Sequence, residues 1–271
     1  MDTEEIMRLS LTLAGLKKGP EDSAIYVKGN NIKRILFGID ATVPELLLAK
    51  QLGCDAVIAH HPVGGMAVLG FHEVFLRHVQ QMVGAGIPKE EAERAVRKKY
   101  ADLEVDGHAR NYGHAIDVAR LLKMPYMNIH TPLDEIGRKT MSEQVDKKIR
   151  KDSTVQDVVC ALNDLPEFKN ASTKIKIRLG KAENPCGKVV VSHAAGTNGG
   201  YEIAKTYFKH GIGTVVYIHV GLGDLEKLRA EGVGNLVVTG HIASDSVGIN
   251  PFIQELEDKG ISVTTIGVVP R

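Results

Sequence analysis

RILFGIDATVPELLLAKQLGCDAVIAHHPVGG, residues 34–65, carries the pattern on which the fold is read. RILFGID (34–40) is apolar and β-branched enough for a strand. Pro44 stands where a helix would begin, and PELLLAKQLG (44–53) reads as that helix, stopped at Gly53. CDAVIAH (54–60) is continuously apolar, as a strand buried on both faces must be. The pattern then breaks at HHPVGG.

The same alternation extends in both directions. Upstream, MDTEEIMRLSLTLAGLKKG opens with acids and reads as an amphipathic helix with Ile6, Leu9, Leu13 and Leu16 on one face. A signal peptide would start basic. Downstream, FHEVFLRHVQQMVGAG (71–86) reads as a helix, KEEAERAVRKKY after Pro88 as another, and 114–123 as a third, before the short strand PYMNIH (125–130). The polar, charged segment around 135–175 is expected to join two halves. The second half repeats the theme with strands KVVVSH (188–193), GTVVYIHV (213–220), NLVVTGH (235–241) and ISVTTIGVV (261–269). Between them lie helices 201–211, 224–232 and 244–260, the last capped by Ser244. This is α/β architecture, with helices layered on sheets.

Composition narrows the function. The chain has 271 residues, 43% of them hydrophobic, and a net charge of +1, so it offers no broad basic surface for nucleic acid or acidic membrane. Trp is absent and aromatics are few, which leaves no base-stacking platform. Cys54, Cys160 and Cys186 are sparse and odd in number, which fits a reducing compartment and a cytoplasmic location. No apolar run reaches the roughly 18 residues of a membrane span.

Three strand ends carry the chemistry. His60 and His61 end one apolar strand, and a turn at Pro62 can bring both imidazoles to one cavity. His241 ends another, with Asp245 in the first turn of the next helix, where a carboxylate also serves simply as a dipole-stabilising acid. NIHTPLDEIG (128–137) offers His130 and then Asp134, which could equally cap the segment that follows. Loops at the C-terminal ends of strands are where α/β proteins place their sites. A mixed nitrogen and oxygen ligand set suits a catalytic metal site better than a closed structural one. Five ligands exceed one tetrahedral ion and can serve two ions if a carboxylate bridges.

DAVIAHHPVGG, NIHTPLDEIG and VVTGHIASDS together resemble the signature segments of the Nif-three-like family, from about Arg34 to the C-terminus. GKVVVSHAAGTNGG stands where that family has a Gly-rich strand-to-helix turn. Many members carry the description GTP cyclohydrolase I type 2. The resemblance implies two interlocked α/β units with mixed sheets in one compact fold, commonly assembled as a ring of six subunits. One unit would span 1–135 and hold HHP and HTPLD; the other would span 136–271 and hold HIASD. It implies two divalent ions held by His60, His61, Asp134, His241 and Asp245, the last bridging. Three departures stand out. Asp245 replaces the usual Glu. The family's Asp-Asn segment is not recognisable in EDSAIYVKGNNI. Seventy residues separate His60 from His130, leaving a helical insertion near 88–113.

Two divalent ions carry more charge than two carboxylates cancel, so an anionic substrate and a metal-bridging hydroxide near neutral pH are expected. The leading expectation is a metal-dependent hydrolase acting on a phosphate-containing or nucleotide-like substrate. The alternative is a metal-binding scaffold, metallochaperone or regulatory partner without catalysis. Zinc, manganese, iron, nickel and cobalt all suit these ligands. His130, His193 and His219 are candidates for supporting positions. Arg94 and Arg97, with Lys98 and Lys99, could hold a phosphate from the insertion or form a solvated basic helix end. The AAGTNGG turn (194–200) could offer N–H groups to an anion or serve only as a tight turn.

Overall fold

The computed structural model describes residues 1–271. It contains nine strands: β1 (Ala24–Val27), β2 (Arg34–Gly38), β3 (Ala56–Ala59), β4 (Tyr126–Asn128), β5 (Lys176–Leu179), β6 (Lys188–Val191), β7 (Ile212–Tyr217), β8 (Asn235–Val238) and β9 (Ser262–Ile266). They form two mixed sheets within two compact units.

The first unit comprises Met1–Val74, Ala101–Ile136 and Gly248–Val268. Its sheet has the order β1-β4-β3-β2-β9. Strands β4, β3, β2 and β9 run parallel, and β1 closes one edge antiparallel to β4. The helix Val43–Leu52 connects β2 to β3, as residues 34–65 predict. The Glu45 carboxylate accepts the Thr42 N–H at 2.7 Å at its start, and Gly53 in left-handed conformation ends it. Leu36, Leu46, Ala49, Val57, Ala119 and Tyr126 pack into one apolar cluster. Burial of each large side chain there is worth roughly 1.5–3 kcal/mol.

The second unit comprises Phe75–Tyr100, Gly137–Val247 and Val269–Arg271. Its sheet has the order β5-β8-β7-β6, with β6, β7 and β8 parallel and β5 antiparallel at the edge. The units interleave along the chain. Strand β9, late in the sequence, pairs with β2 of the first sheet, residues 75–100 count with the second unit, and the insertion expected near 88–113 is divided between the two units after Tyr100.

Several local expectations need correction. The 135–175 segment is not a connector. Its helices Thr131–Lys148 and Val155–Asn163 contribute Met141, Val145, Val155, Val158 and Leu162 to the apolar cluster of the second unit. The 71–86 helix is broken into Phe71–Val74 and Arg77–Gly84. The first helix, Thr3–Ala14, is capped by Asp2 and buries Thr3, Ile6, Ser10 and Ala14 rather than the leucine face. The last long helix begins at His241, not at Ser244. Gly240, at φ +106°, makes the turn from β8, and a Cβ there would meet the Thr173 hydroxyl at 2.7 Å. Ser244 is therefore interior to that helix and donates back to the Gly240 carbonyl at 2.7 Å. No helix is long and apolar enough to cross a membrane.

Candidate metal centre

Register places the chemistry. In the first sheet Gly38 pairs with Ala59 and Ala59 with Asn128. Two residues beyond each of these come Asp40, His61 and His130. Parallel strands that end level thus deliver a row of ligating side chains to one edge.

His60 is fully buried, and its Nδ1 lies 3.0 Å from the Ile129 carbonyl oxygen. A carbonyl only accepts, so Nδ1 carries the proton and, in the neutral ring, Nε2 keeps a lone pair. That Nε2 is 3.2 Å from Asp134 Oδ1. His61 Nδ1 is 2.7 Å from Asp40 Oδ1, on a carboxylate whose side chain is 73% exposed. The two rings stand 5.1 Å apart between centroids, so the turn at Pro62 does bring consecutive histidines together. His130 Nδ1 is 2.7 Å from Asp22 Oδ2, and its Nε2 is 3.7 Å from Asp134 Oδ2. One ligand atom from each of His60, His61 and His130 lies within 4.8 Å of the others. Asp134 is one turn along the helix that starts at Thr131, and it is buried.

Asp22 has no counterpart in the sequence reading. It is fully buried in the segment just before β1. Its Oδ2 accepts from both His130 Nδ1 and Thr131 Oγ1 at 2.7 Å. Asn128 Nδ2 donates to its backbone carbonyl at 2.7 Å. Ligating imidazoles characteristically have the second nitrogen held by a carboxylate or carbonyl, which fixes tautomer and ring plane. His60, His61 and His130 all meet that description.

In the second unit the strands end on His193, His219 and His241. His241 opens its helix and Asp245 follows one turn later on the same face, with His241 Nε2 3.4 Å from Asp245 Oδ2. Asp245 is buried while the His241 side chain is 40% exposed. An acid one turn inside a helix is not in the end position that would make it a dipole-stabilising residue. The His219 ring lies 4.6 Å from that of His241. Asn198 Nδ2 donates to His219 Nδ1 at 2.9 Å, which leaves the neutral ring's proton on Nε2. Burial, and then the neighbouring His241, lower the His219 pKa to about 4.

The 193–200 turn is gripped from residues 75–100. Arg77 Nε donates to the Ala194 carbonyl at 2.7 Å and Gln81 Nε2 to that of His193 at 2.5 Å. His78 Nε2 donates to the Thr197 carbonyl at 2.9 Å and Lys99 Nζ to that of Asn198 at 2.8 Å. Lys99 of the insertion reaches this turn; Arg94 and Arg97 lie on the exposed face of the helix Lys89–His108. His78 is completely buried.

Two mixed sheets whose parallel strands end in imidazoles and carboxylates define an α/β protein with candidate metal-ligating clusters. Comparison with solved structures gives the family. A NIF3 superfamily protein from Sphaerobacter thermophilus shares 47% sequence identity and a TM-score of 0.97, over 98% of this chain and 98% of that one. Reduced HcgD from Methanocaldococcus jannaschii has the same fold at 14% identity and a TM-score of 0.61, over 98% and 97% of the two chains. A Bacillus cereus protein related to NIF3 does so at 11% identity and 0.56, over 98% and 96%. No family model and no curated protein matches the chain. The chain belongs to the NIF3 superfamily.

Proposed function

We propose that this chain binds a pair of divalent metal ions through His60, His61, Asp134, His241 and Asp245, and is a metal-dependent hydrolase acting on a small phosphate-containing or nucleotide-like anion. The supporting observation is the pairing of His60 with Asp134. With Nδ1–H committed to the Ile129 carbonyl, the neutral His60 ring turns an Nε2 lone pair toward a carboxylate oxygen 3.2 Å away. An imidazole nitrogen and a carboxylate oxygen held that close are a donor pair of the kind that a divalent ion takes. The donor set fits zinc, manganese, iron, nickel or cobalt. Bound there, such ions would polarise an oxygen of the substrate and make hydroxide available near neutral pH.

The chain's own residues supply the rest. Asp40 and Asp22 hold the rings of His61 and His130. Arg77 and Lys99 place positive charge beside the 193–200 turn, which favours an anionic substrate. Ring opening of GTP is one instance of this chemistry. Assembly as a ring of six copies belongs to the same proposal and is tested by the mass of the protein in solution.

The experiment is hydrolysis of a generic phosphodiester and of GTP with added manganese, zinc or iron. Turnover is expected in the wild type and its loss in the His60→Ala, His61→Ala double variant. If neither substrate reacts faster with the wild type than with the double variant, the hydrolase reading falls and a non-catalytic metal-binding role replaces it.

A further inference from the structure

We propose that His219 reads the bound anion: its Nε2–H, set in place by Asn198, donates to a phosphoryl oxygen of the ligand held beside His241, all within the second unit. The proposal rests on the reading that this protein takes a small phosphate-containing anion, and it names the side chain that recognises one of that anion's oxygens.

Strands β7 and β8 leave their sheet level with each other. The Gly240 N–H donates to the Ile218 carbonyl at 3.0 Å, and the next residue of each strand is a histidine. The His219 and His241 rings follow with centroids 4.6 Å apart, tilted by 51°. The place of the His219 proton follows from its neighbour. Asn198 is buried, and its Oδ1 accepts the Gly200 N–H at 3.0 Å. A backbone N–H only donates, so the amide cannot be turned the other way round. Asn198 Nδ2 therefore faces His219 Nδ1, 2.9 Å away, and an amide nitrogen also only donates. Nδ1 keeps the lone pair and Nε2 carries the proton. An imidazolium would bear Nε2–H as well, so this donor does not depend on the charge of the ring.

The ring is half-buried, and no group of the protein accepts from its Nε2–H. The donor is also held firmly. The carbonyl of Asn198 accepts from Lys99 Nζ at 2.8 Å, and that of Thr197 from His78 Nε2 at 2.9 Å. A donor fixed before its acceptor arrives loses little freedom on binding, which is where such hydrogen bonds gain their strength. His219 is no metal ligand in this arrangement, because Asn198 takes its lone pair. Lys99 and Asp245 are the charged side chains that act on the ring. Asp245 is assigned to metal above, so positive charge is left in excess and an anionic oxygen is the acceptor that suits Nε2–H. A phosphoryl group carries several such oxygens.

The test uses the full chain loaded with Zn2+, with inorganic phosphate as the probe. NMR of the ring nitrogens, assigned with His219→Gln, is expected to show the His219 proton on Nε2 and the Nε2 signal moving as phosphate is added. Asn198→Asp, whose second oxygen accepts from Nδ1, is expected to move the proton to Nδ1. An unchanged tautomer in that variant would overturn the part given to Asn198. By calorimetric titration His219→Phe should weaken phosphate binding by roughly 10–100-fold, the weight of a hydrogen bond to a charged acceptor, and leave Zn2+ binding as in the wild type. His219→Gln, which restores an N–H at about the same reach, should recover most of that loss. A wild-type proton on Nδ1, or phosphate held equally by the wild type and His219→Phe, would overturn the His219 assignment and leave the anion reading intact. If His219→Phe does not fold, the wild-type spectrum decides: an Nε2 signal unmoved by saturating phosphate overturns the assignment. Zn2+-loaded wild type that binds no phosphate would overturn the anion reading and the assignment with it.

Discussion

In the first unit the parallel strands β2, β3 and β4 run out into Asp40, His60 with His61, and His130. In the second, β6, β7 and β8 run out into His193, His219 and His241. The two sheets share a plan, with an antiparallel strand at one edge and histidines beyond the parallel strands, yet they surround those histidines differently. Around the first set the partners are oxygens: Ile129 carbonyl, Asp22, Asp40 and Asp134. Around the second, Asn198 donates a proton to His219, and Arg77 and Lys99 bring positive charge to the adjoining turn. Sheet topology decides where side chains of this kind collect. The hydrogen-bond partner of Nδ1 decides whether a given imidazole can offer Nε2 to a metal.

The largest expected effect separates the two rows directly. His60→Ala should weaken divalent-metal binding by more than the roughly 10–100-fold that loss of a supporting hydrogen bond costs. His219→Ala should leave it nearly unchanged, because the His219 ring holds its proton on Nε2. Calorimetric titration with Zn2+ or Co2+ measures both, and equal losses would erase the distinction. Next come the supporting carboxylates. Asp22→Asn should cost roughly 10–100-fold in metal affinity and Asp40→Asn less, since Asp22 is buried and Asp40 is largely exposed. The reverse order would show that burial does not set the strength of these supports.

Stability tests reach the second unit. Burial, foremost, holds the His78 pKa down at about 4, against an ordinary value of 6.5. The unfolded chain therefore takes up this proton as pH falls through 6.5, and the folded chain only near 4. The stability that neutral His78 contributes is complete above pH 6.5 and is lost as pH falls toward 4, about 3 kcal/mol in all. Denaturant unfolding of metal-free protein across that range should show the slope, and His78→Gln should flatten it. Lys99→Met removes a charged donor from the Asn198 carbonyl and should cost about 1.5–3 kcal/mol. Arg94→Ala with Arg97→Ala, on the exposed face, should stay within about 0.5 kcal/mol of the wild type. A large loss there would restore a structural role for the insertion's outer face.

The legible part of this molecule was the part written in continuous local pattern. RILFGID, CDAVIAH and NLVVTGH are buried parallel strands, and their apolar runs announce both the strand and the place where it stops. His60, His61, His130 and His241 follow from those stops. The edge strands β1 and β5 were missed because AIYV and KIRL are four residues each, and AIYV is half-buried throughout, too short and too uniform a pattern to read. The start at His241 was missed because Ser244 offers a better cap by residue type, whereas a glycine at positive φ sets the true beginning. Residues 135–175 look like a connector because charged residues outnumber the apolar stripe that they flank. Asp22 could not be found from pattern at all: it meets His130 across 108 positions of sequence, and a single aspartate in a turn has no signature.

Whether these clusters hold metal is tested by elemental analysis of protein purified without added chelator or metal. The expected result is up to two first-row transition-metal ions per chain, retained through exhaustive dialysis and absent from the His60→Ala, His61→Ala double variant. Wild-type protein that carries no metal, and takes up none from micromolar Zn2+ or Co2+, would contradict it.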